Sequence, residues 1–314
     1  MYRGKNPTMK LRNARDRLLH RRLRSFARAL PDACGGDPSA VHKARVASRR
    51  LREALPVVLA DVPAKKANRL ARGFRRITRA LGPVREMDVT IAALEATTAQ
   101  FPDAAASLQA VAVQLHADRD RRRDEMLGRL ENIDADRLVA RVDAFAGTAS
   151  QPAAVAHSVS RAVLAVRMVR RARDLHQAVA AAGALYAPEP LHAVRIAAKK
   201  LRYAMELAHE LRLFSSRRAL RQLERMQDTL GHLHDLQILI ERLAAAQATF
   251  PVPELVLADL AHVSGALDDE CRRFHADYVG GRDAMLAAVD DALEMVTAGP
   301  VRDVETEPVS TSVH

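Results

Sequence analysis

Apolar residues recur every three to four positions along almost the whole chain, the spacing of helices that bury one face, and strand-like alternation is nowhere sustained. Pro, Gly and Asp clusters cut this periodicity into about eight segments. They fall near 8–30, 39–60, 64–99 and 104–146, then 154–183, 190–213, 215–247 and 253–296. Between the two sets lies GTASQP, 147–152, which reads as a linker. Pro56 and Pro83 fall inside the second and third segments, where proline removes a backbone donor and clashes with the preceding turn. Kinks or breaks are expected there, and the third segment is a candidate for two helices. The stretch 299–314 is polar and aperiodic, and is expected to be disordered.

The pattern also repeats. A shift of 150 residues lays VHKARVASRRLR, 41–52, on LHAVRIAAKKLR, 191–202, matching charge type and apolar type. The same shift pairs Pro38 with Pro188, Arg17 with Arg167, Arg21 with Arg171, and Arg122 and Arg123 with Arg272 and Arg273. A shift one residue shorter lays LGPVREMDV, 81–89, on LGHLHDLQI, 230–238. The expected architecture is therefore all-α, two four-helix bundles related by internal pseudo-twofold symmetry, over 8–146 and 153–296.

At about 100° per residue, His42, Arg45, Arg49 and Arg52 share an arc of about 80°, with Arg50 to one side. Ala44, Ala47, Leu51, Ala54, Leu55 and Val58 take the opposite face. The second copy repeats the division with His192, Arg195, Lys199 and Arg202 against Val194, Ala197, Leu201, Ala204, Met205 and Ala208. Asp37 or Ser39 suits the N-cap of one stripe helix, and Pro190 suits the first turn of the other. A charged helix face ordinarily carries acids one turn away that relieve repulsion. Here Glu53 and Glu206 lie beyond the ends of the stripes, which are expected to stand unneutralised. A histidine heading each stripe, beside arginines, should stay largely neutral until an anion arrives and then gain a proton with it.

Charge sharpens this picture. Lys and Arg number 49 against 38 Asp and Glu, and ten of the cations fall in the first 30 residues beside the single acid Asp16. An anionic polymer or surface is implied as partner. With 4% aromatic residues and no Trp, the stacking platforms of single-strand nucleic-acid binders are missing, although a basic patch also recognises DNA or RNA backbone. Cys34 and Cys271 have no metal-ligand spacing, no cofactor motif appears, and no apolar run is long enough to span a bilayer. A cytoplasmic protein without membrane attachment or cofactor is expected. Glu86, Asp88, Asp228 and Asp235 keep open a metal-dependent phosphate-processing enzyme, although helix caps and arginine pairs are the commoner use of such acids.

The two basic stretches, with LRY at 201–203 and the paired LG segments, resemble the signature of the CHAD family, the histidine-bearing α-helical domain. Glu86 stands where the family pattern LGxxRDxDV carries Asp, and His234 stands at a position often taken by Asn. The resemblance spans about residues 8–290. It implies two four-helix bundles and non-catalytic binding of inorganic polyphosphate in a shared positive groove. On that likeness His42, Arg45, Arg49, Arg52, His192, Arg195, Lys199 and Arg202 would contact phosphate. Arg50, Lys200 and the repeated Arg17, Arg21, Arg122, Arg123, Arg167, Arg171, Arg272 and Arg273 would form the walls. Association with polyphosphate granules would accompany such a ligand.

Overall fold

The computed structural model describes residues 14–146, 153–249 and 254–298. The linker 147–152, the stretch 299–314 and the start of the first segment lie outside the described residues. Within them there are nine α-helices, one 3₁₀ turn and no strand. The first set comprises α1 (Ala14–Gly35), α2 (Pro38–Val58), α3 (Ala64–Gln100), the 3₁₀ turn Pro102–Ala104, α4 (Ala105–Glu131) and α5 (Ala135–Ala146). The second comprises α6 (Ala153–Ala182), α7 (Pro188–Glu210), α8 (Arg217–Thr249) and α9 (Glu254–Ala298).

Local chemistry sets the boundaries. Helix α1 ends at a left-handed Gly36, φ 92°, which a side chain would strain. The next residue, Asp37, caps α2 by accepting from the Ala40 amide at 2.6 Å, with Pro38 in the first turn. The segment expected over 104–146 is two helices, because Asn132–Asp134 turn the chain and Asp134 accepts from the Arg137 amide at 2.8 Å. The break expected at Pro83 is absent, and α3 continues through it. Leu81, Val84 and Met87 around that proline are all 0% exposed. Burying three such side chains, at about 1.5–3 kcal/mol each, outweighs the ~3 kcal/mol of an interior proline. Pro56 likewise lies within α2.

Helices α1 to α4 pack in succession, as do α6 to α9, while α5 packs on α1 and α3 and α9 returns to α6. The sets meet through α2 with α6 and α7, α3 with α8, and α4 with α9. The larger apolar cluster runs through helices of both sets and includes Leu19, Leu51, Phe74, Leu175, Leu201 and Tyr278. A second cluster joins the far ends of α3, α4, α8 and α9 through Met87, Leu94, Leu108, Leu239, Val263 and Leu267. Burial thus locks α2 and α7 together mid-molecule, and none of the described helices is long and apolar enough to cross a membrane.

Candidate functional site

The two repeated stretches occupy α2 and α7, and residue by residue their burial classes over 41–50 and 191–200 are the same. Val41, Ala44, Ala47 and Ser48 are buried, as are Leu191, Val194, Ala197 and Ala198, while both histidines stand exposed at the helix starts. Because α2 packs on α7, the stripes converge. Lys199 lies close enough to Arg45 and Arg49 to be repelled by both, and both in turn feel Arg195. His42 feels Lys199 across the same boundary.

Two further helices complete the cluster. From α3 comes Arg85, which acts on His42 and Arg45. From α8 comes His234, whose ring centroid stands 4.8 Å from that of His192. Asp235 follows it and is the acid that Arg195 feels most strongly. Tyr203 lies beneath two of the cations, with the Arg49 guanidinium 4.8 Å above its ring and that of Arg202 at 5.7 Å.

Among the described residues, no hydrogen bond or ion pair holds Arg45, Arg49, Arg85, Arg195 or Lys199, and the buried Nε of Arg45 has no acceptor. Desolvation penalises the charged forms of Arg45, Arg49, Arg195, Lys199 and the three histidines, and repulsion adds to it at all of these but Arg195. Burial first, then Arg49, Arg195 and Arg45, bring the Lys199 ammonium from its ordinary 10.5 to about 7. His234 falls to about 4 through burial, Arg195 and His192. Burial, then neighbouring cations, lower His42, His192, Arg45 and Arg49, while burial lowers Arg195 against the pull of Asp235. Burial raises Asp235 despite Arg195. An arrangement that costs this much when empty gains most from a multiply charged anion, which favours the charged forms of the lysine, the arginines and the histidines together.

The outer ends of the stripes differ from expectation. Arg52 donates to Glu53 at 3.0 Å, and Arg202 lies 3.4 Å from Glu206 and 3.3 Å from Glu224. The relief that seemed missing is thus supplied at these ends by the next residue, by the next turn and by α8. The cluster that these ion pairs leave is His42, Arg45, Arg49, His192, Arg195 and Lys199, together with Arg85 and His234.

Four of the expected wall arginines, Arg21, Arg123, Arg167 and Arg171, serve as ties between elements, as does Arg22 beside them. Arg22 of α1 donates to the Arg50 carbonyl at 2.9 Å and to Glu210 of α7 at 2.7 Å, and Arg21 joins Glu210 at 2.6 Å. Reciprocally, Arg171 of α6 donates to the Lys200 carbonyl at 2.6 Å and pairs with Glu53 of α2. Arg167 adds a bond to the Glu53 carbonyl at 2.8 Å. Arg50 and Lys200 are matching positions of the repeat, so each set's first helix holds its own second helix and reaches across to the other's. The side chains of Arg50 and Lys200 are exposed. Arg123 donates to the Gly35 carbonyl at 3.3 Å, and Arg272 pairs with Asp268 at 2.7 Å. Arg17, Arg122 and Arg273 make no hydrogen bond or ion pair among the described residues and are not drawn into the cluster.

Arg85, His234 and Tyr203 were not singled out from sequence as ligand residues. The offset of 149 residues superposes Arg85 on His234, a signal that lay in the alignment of the LG segments. Both LG pairs lie inside continuous helices, α3 and α8, so the residues after them project sideways rather than capping an end. Asp88 is held by Arg119 at 2.7 Å, which also donates to the Gly36 carbonyl at 2.7 Å. Among the described residues, no three His, Cys, Asp or Glu side chains gather in a way that could hold a metal ion.

Comparison with known proteins extends these observations. Comparison with curated proteins finds no match. Among solved structures, the CHAD domain from the plant Ricinus communis is similar at TM-score 0.58 and 24% identity, over 88% of this chain and 90% of that one. PptA from Streptomyces chartreusis is similar at TM-score 0.60 and 17% identity, over 88% and 98%. At these identities the likeness concerns the fold. The family model of the CHAD domain matches residues 17–244, most of the length, and the chain belongs to the CHAD domain family.

Proposed function

We propose that the protein binds inorganic polyphosphate, without catalysis, in the basic groove between α2 and α7. The observation that carries this reading is the set of cations Arg45, Arg49, Arg85, Arg195 and Lys199, from three helices, none in an ion pair among the described residues, with Lys199 titrating at about 7. A linear chain of phosphates offers repeated charge and no bases, so it asks for many cations and no stacking surface. The Tyr203 ring beside these cations is already covered by Arg49. Guanidinium forks of Arg45, Arg49 and Arg195 match phosphate oxygens in pairs, and Lys199 supplies a point charge.

Binding would proceed by exchange of partners. A phosphate entering beside Arg195 replaces Asp235 as its counter-charge, and Lys199 takes up a proton as the anion restores its ammonium. His42 and His192, exposed at the helix starts, then protonate and donate to outer oxygens. Matching stripes on α2 and α7 double the phosphates engaged along one ligand, so avidity grows without new chemistry. A cytoplasmic place, at polyphosphate granules, goes with this ligand.

Calorimetry with long-chain polyphosphate at near-physiological salt, followed by competition against duplex and single-stranded DNA, tests the reading. Polyphosphate should bind and should displace either nucleic acid. Absence of polyphosphate binding, or nucleic acid that excess polyphosphate leaves bound, would overturn it.

A further inference from the structure

Outside the groove, the most one-sided charge lies on the first half of α3. From Val62 to Arg85 the chain carries eight Lys or Arg and no Asp or Glu. Lys65, Arg69, Arg72, Arg76 and Arg79 are all exposed. At about 100° per residue they share one arc of about 80°, rising in steps of about 4.5 and 6 Å over about 21 Å of helix. No ion pair neutralises any of them among the described residues, and the one bond made is from Arg76 to the Asn132 carbonyl at 3.1 Å. Like charges at these spacings destabilise a helix, so an unrelieved row has a cost when nothing is bound.

The second copy provides an internal contrast. The offset of 149 residues lays Arg69, Arg72 and Arg76 on Arg218, Arg221 and Arg225, but lays Arg75 on Glu224 and Arg79 on Asp228. There Arg218 pairs with Asp291 at 2.8 Å, and Glu224 lies 3.3 Å from Arg202. Of the three matching α8 arginines, Arg218 is paired, while Arg221 and Arg225 make no ion pair among the described residues but share their helix with Glu224 and Asp228, where α3 has only cations.

The row faces away from the groove. Arg85, which faces His42 and Arg45, stands about 160° round α3 from its centre. We infer that the Lys65–Arg79 row is a second, surface track for a separate polyphosphate chain, so that one molecule bridges two chains. The inference rests on the polyphosphate reading of the groove. A single file of cations suits one linear string of phosphates. The exposed large apolar residues all lie off α3, at Val113, Val155, Val166, Leu185, Leu255, Leu257 and Met295, which disfavours insertion into a lipid surface. The row's aromatic neighbour, Phe74, is 0% exposed, so bases would find no ring to stack on.

The test combines chain counting with bridging. Short polyphosphate is titrated calorimetrically, and protein held on beads by immobilised long-chain polyphosphate is offered a second, fluorescent chain. The wild type should take two short chains and capture the fluorescent one. Arg69→Gln/Arg72→Gln/Arg79→Gln should take one, keep the groove affinity and capture nothing. Arg69→Lys/Arg72→Lys/Arg79→Lys, which preserves charge, should retain both behaviours. One chain per wild-type molecule, abolished by Arg45→Ala/Lys199→Ala, would overturn the second track and leave the groove standing. One chain lost only in the glutamine variant would instead remove the groove, and with it the bridging. A glutamine variant that keeps two polyphosphate chains but sheds duplex DNA or phosphatidylserine vesicles would reassign the row to that partner.

Discussion

Replacing Lys199 by Met should make the ligand-free protein more stable and the liganded protein weaker. In the folded state the ammonium titrates at about 7 because it is largely buried among Arg49, Arg195 and Arg45. Its ordinary value is 10.5, and a drop of that size corresponds to a penalty of up to about 5 kcal/mol at ~1.4 kcal/mol per pH unit. Side-chain and water relaxation will reduce it, so a gain of about 1–2 kcal/mol for Lys199→Met at pH 6 is expected. The pH dependence has a definite sign. Below pH 7 the lysine is charged in both states and the penalty is fully present. Between about 7 and 10.5 the unfolded chain holds a proton that the folded chain has lost, so wild-type stability rises with pH. The gap between variant and wild type should therefore be widest near pH 6 and shrink towards pH 10. Urea unfolding at several pH values in phosphate-free buffer measures it, and added polyphosphate should reverse the order of stability. A variant less stable than wild type at pH 6, or a gap unchanged across the range, would refute the reasoning.

Further outcomes follow from the same geometry. Polyphosphate affinity should fall as pH rises through and above 7, by up to about tenfold per unit, because the bound anion returns a proton to Lys199; calorimetry in buffers of different ionisation heat should register proton uptake. Glu53→Gln should cost about 3–5 kcal/mol in urea unfolding, since Arg171 and Arg52 lose a carboxylate that is 12% exposed. Arg171 and Arg52 hold that carboxyl below the ordinary 4.5 despite burial, so its contribution should be present above about pH 4.5 and vanish as pH falls through the lower folded value. Asp37→Ala removes the cap on the Ala40 amide and should cost about 1 kcal/mol, while shifting the start of the α2 stripe enough to weaken ligand binding.

Much of this molecule is legible in its sequence because the fold is built from long amphipathic helices and a repeat. The apolar positions of 41–58 and 191–208 are buried as their spacing implies, and the stripes fall on the opposite face. What periodicity misses is information carried between helices. Pro83 breaks a helix by local rules, but the buried Leu81, Val84 and Met87 keep α3 continuous through it. Arg167 and Arg171 carry the same charge as Arg45, yet reach carbonyl and carboxylate partners on α2 and α7, and no one-dimensional pattern shows which arginine finds a partner. Glu53 and Glu206 lie outside the stripes by sequence and still neutralise Arg52 and Arg202, the first as its chain neighbour and the second across one helical turn. Arg85 and His234 become visible only once α3 and α8 are seen to flank the stripe helices.

The central claim is that the bare cations of α2 and α7 hold one phosphate string between them, and a crystal structure of the protein soaked with short polyphosphate tests it most directly. The account predicts successive phosphates between α2 and α7, touching Arg45 and Arg49 on one side and Arg195 and Lys199 on the other. Phosphates found only on outer surfaces, with this cleft empty, would contradict it.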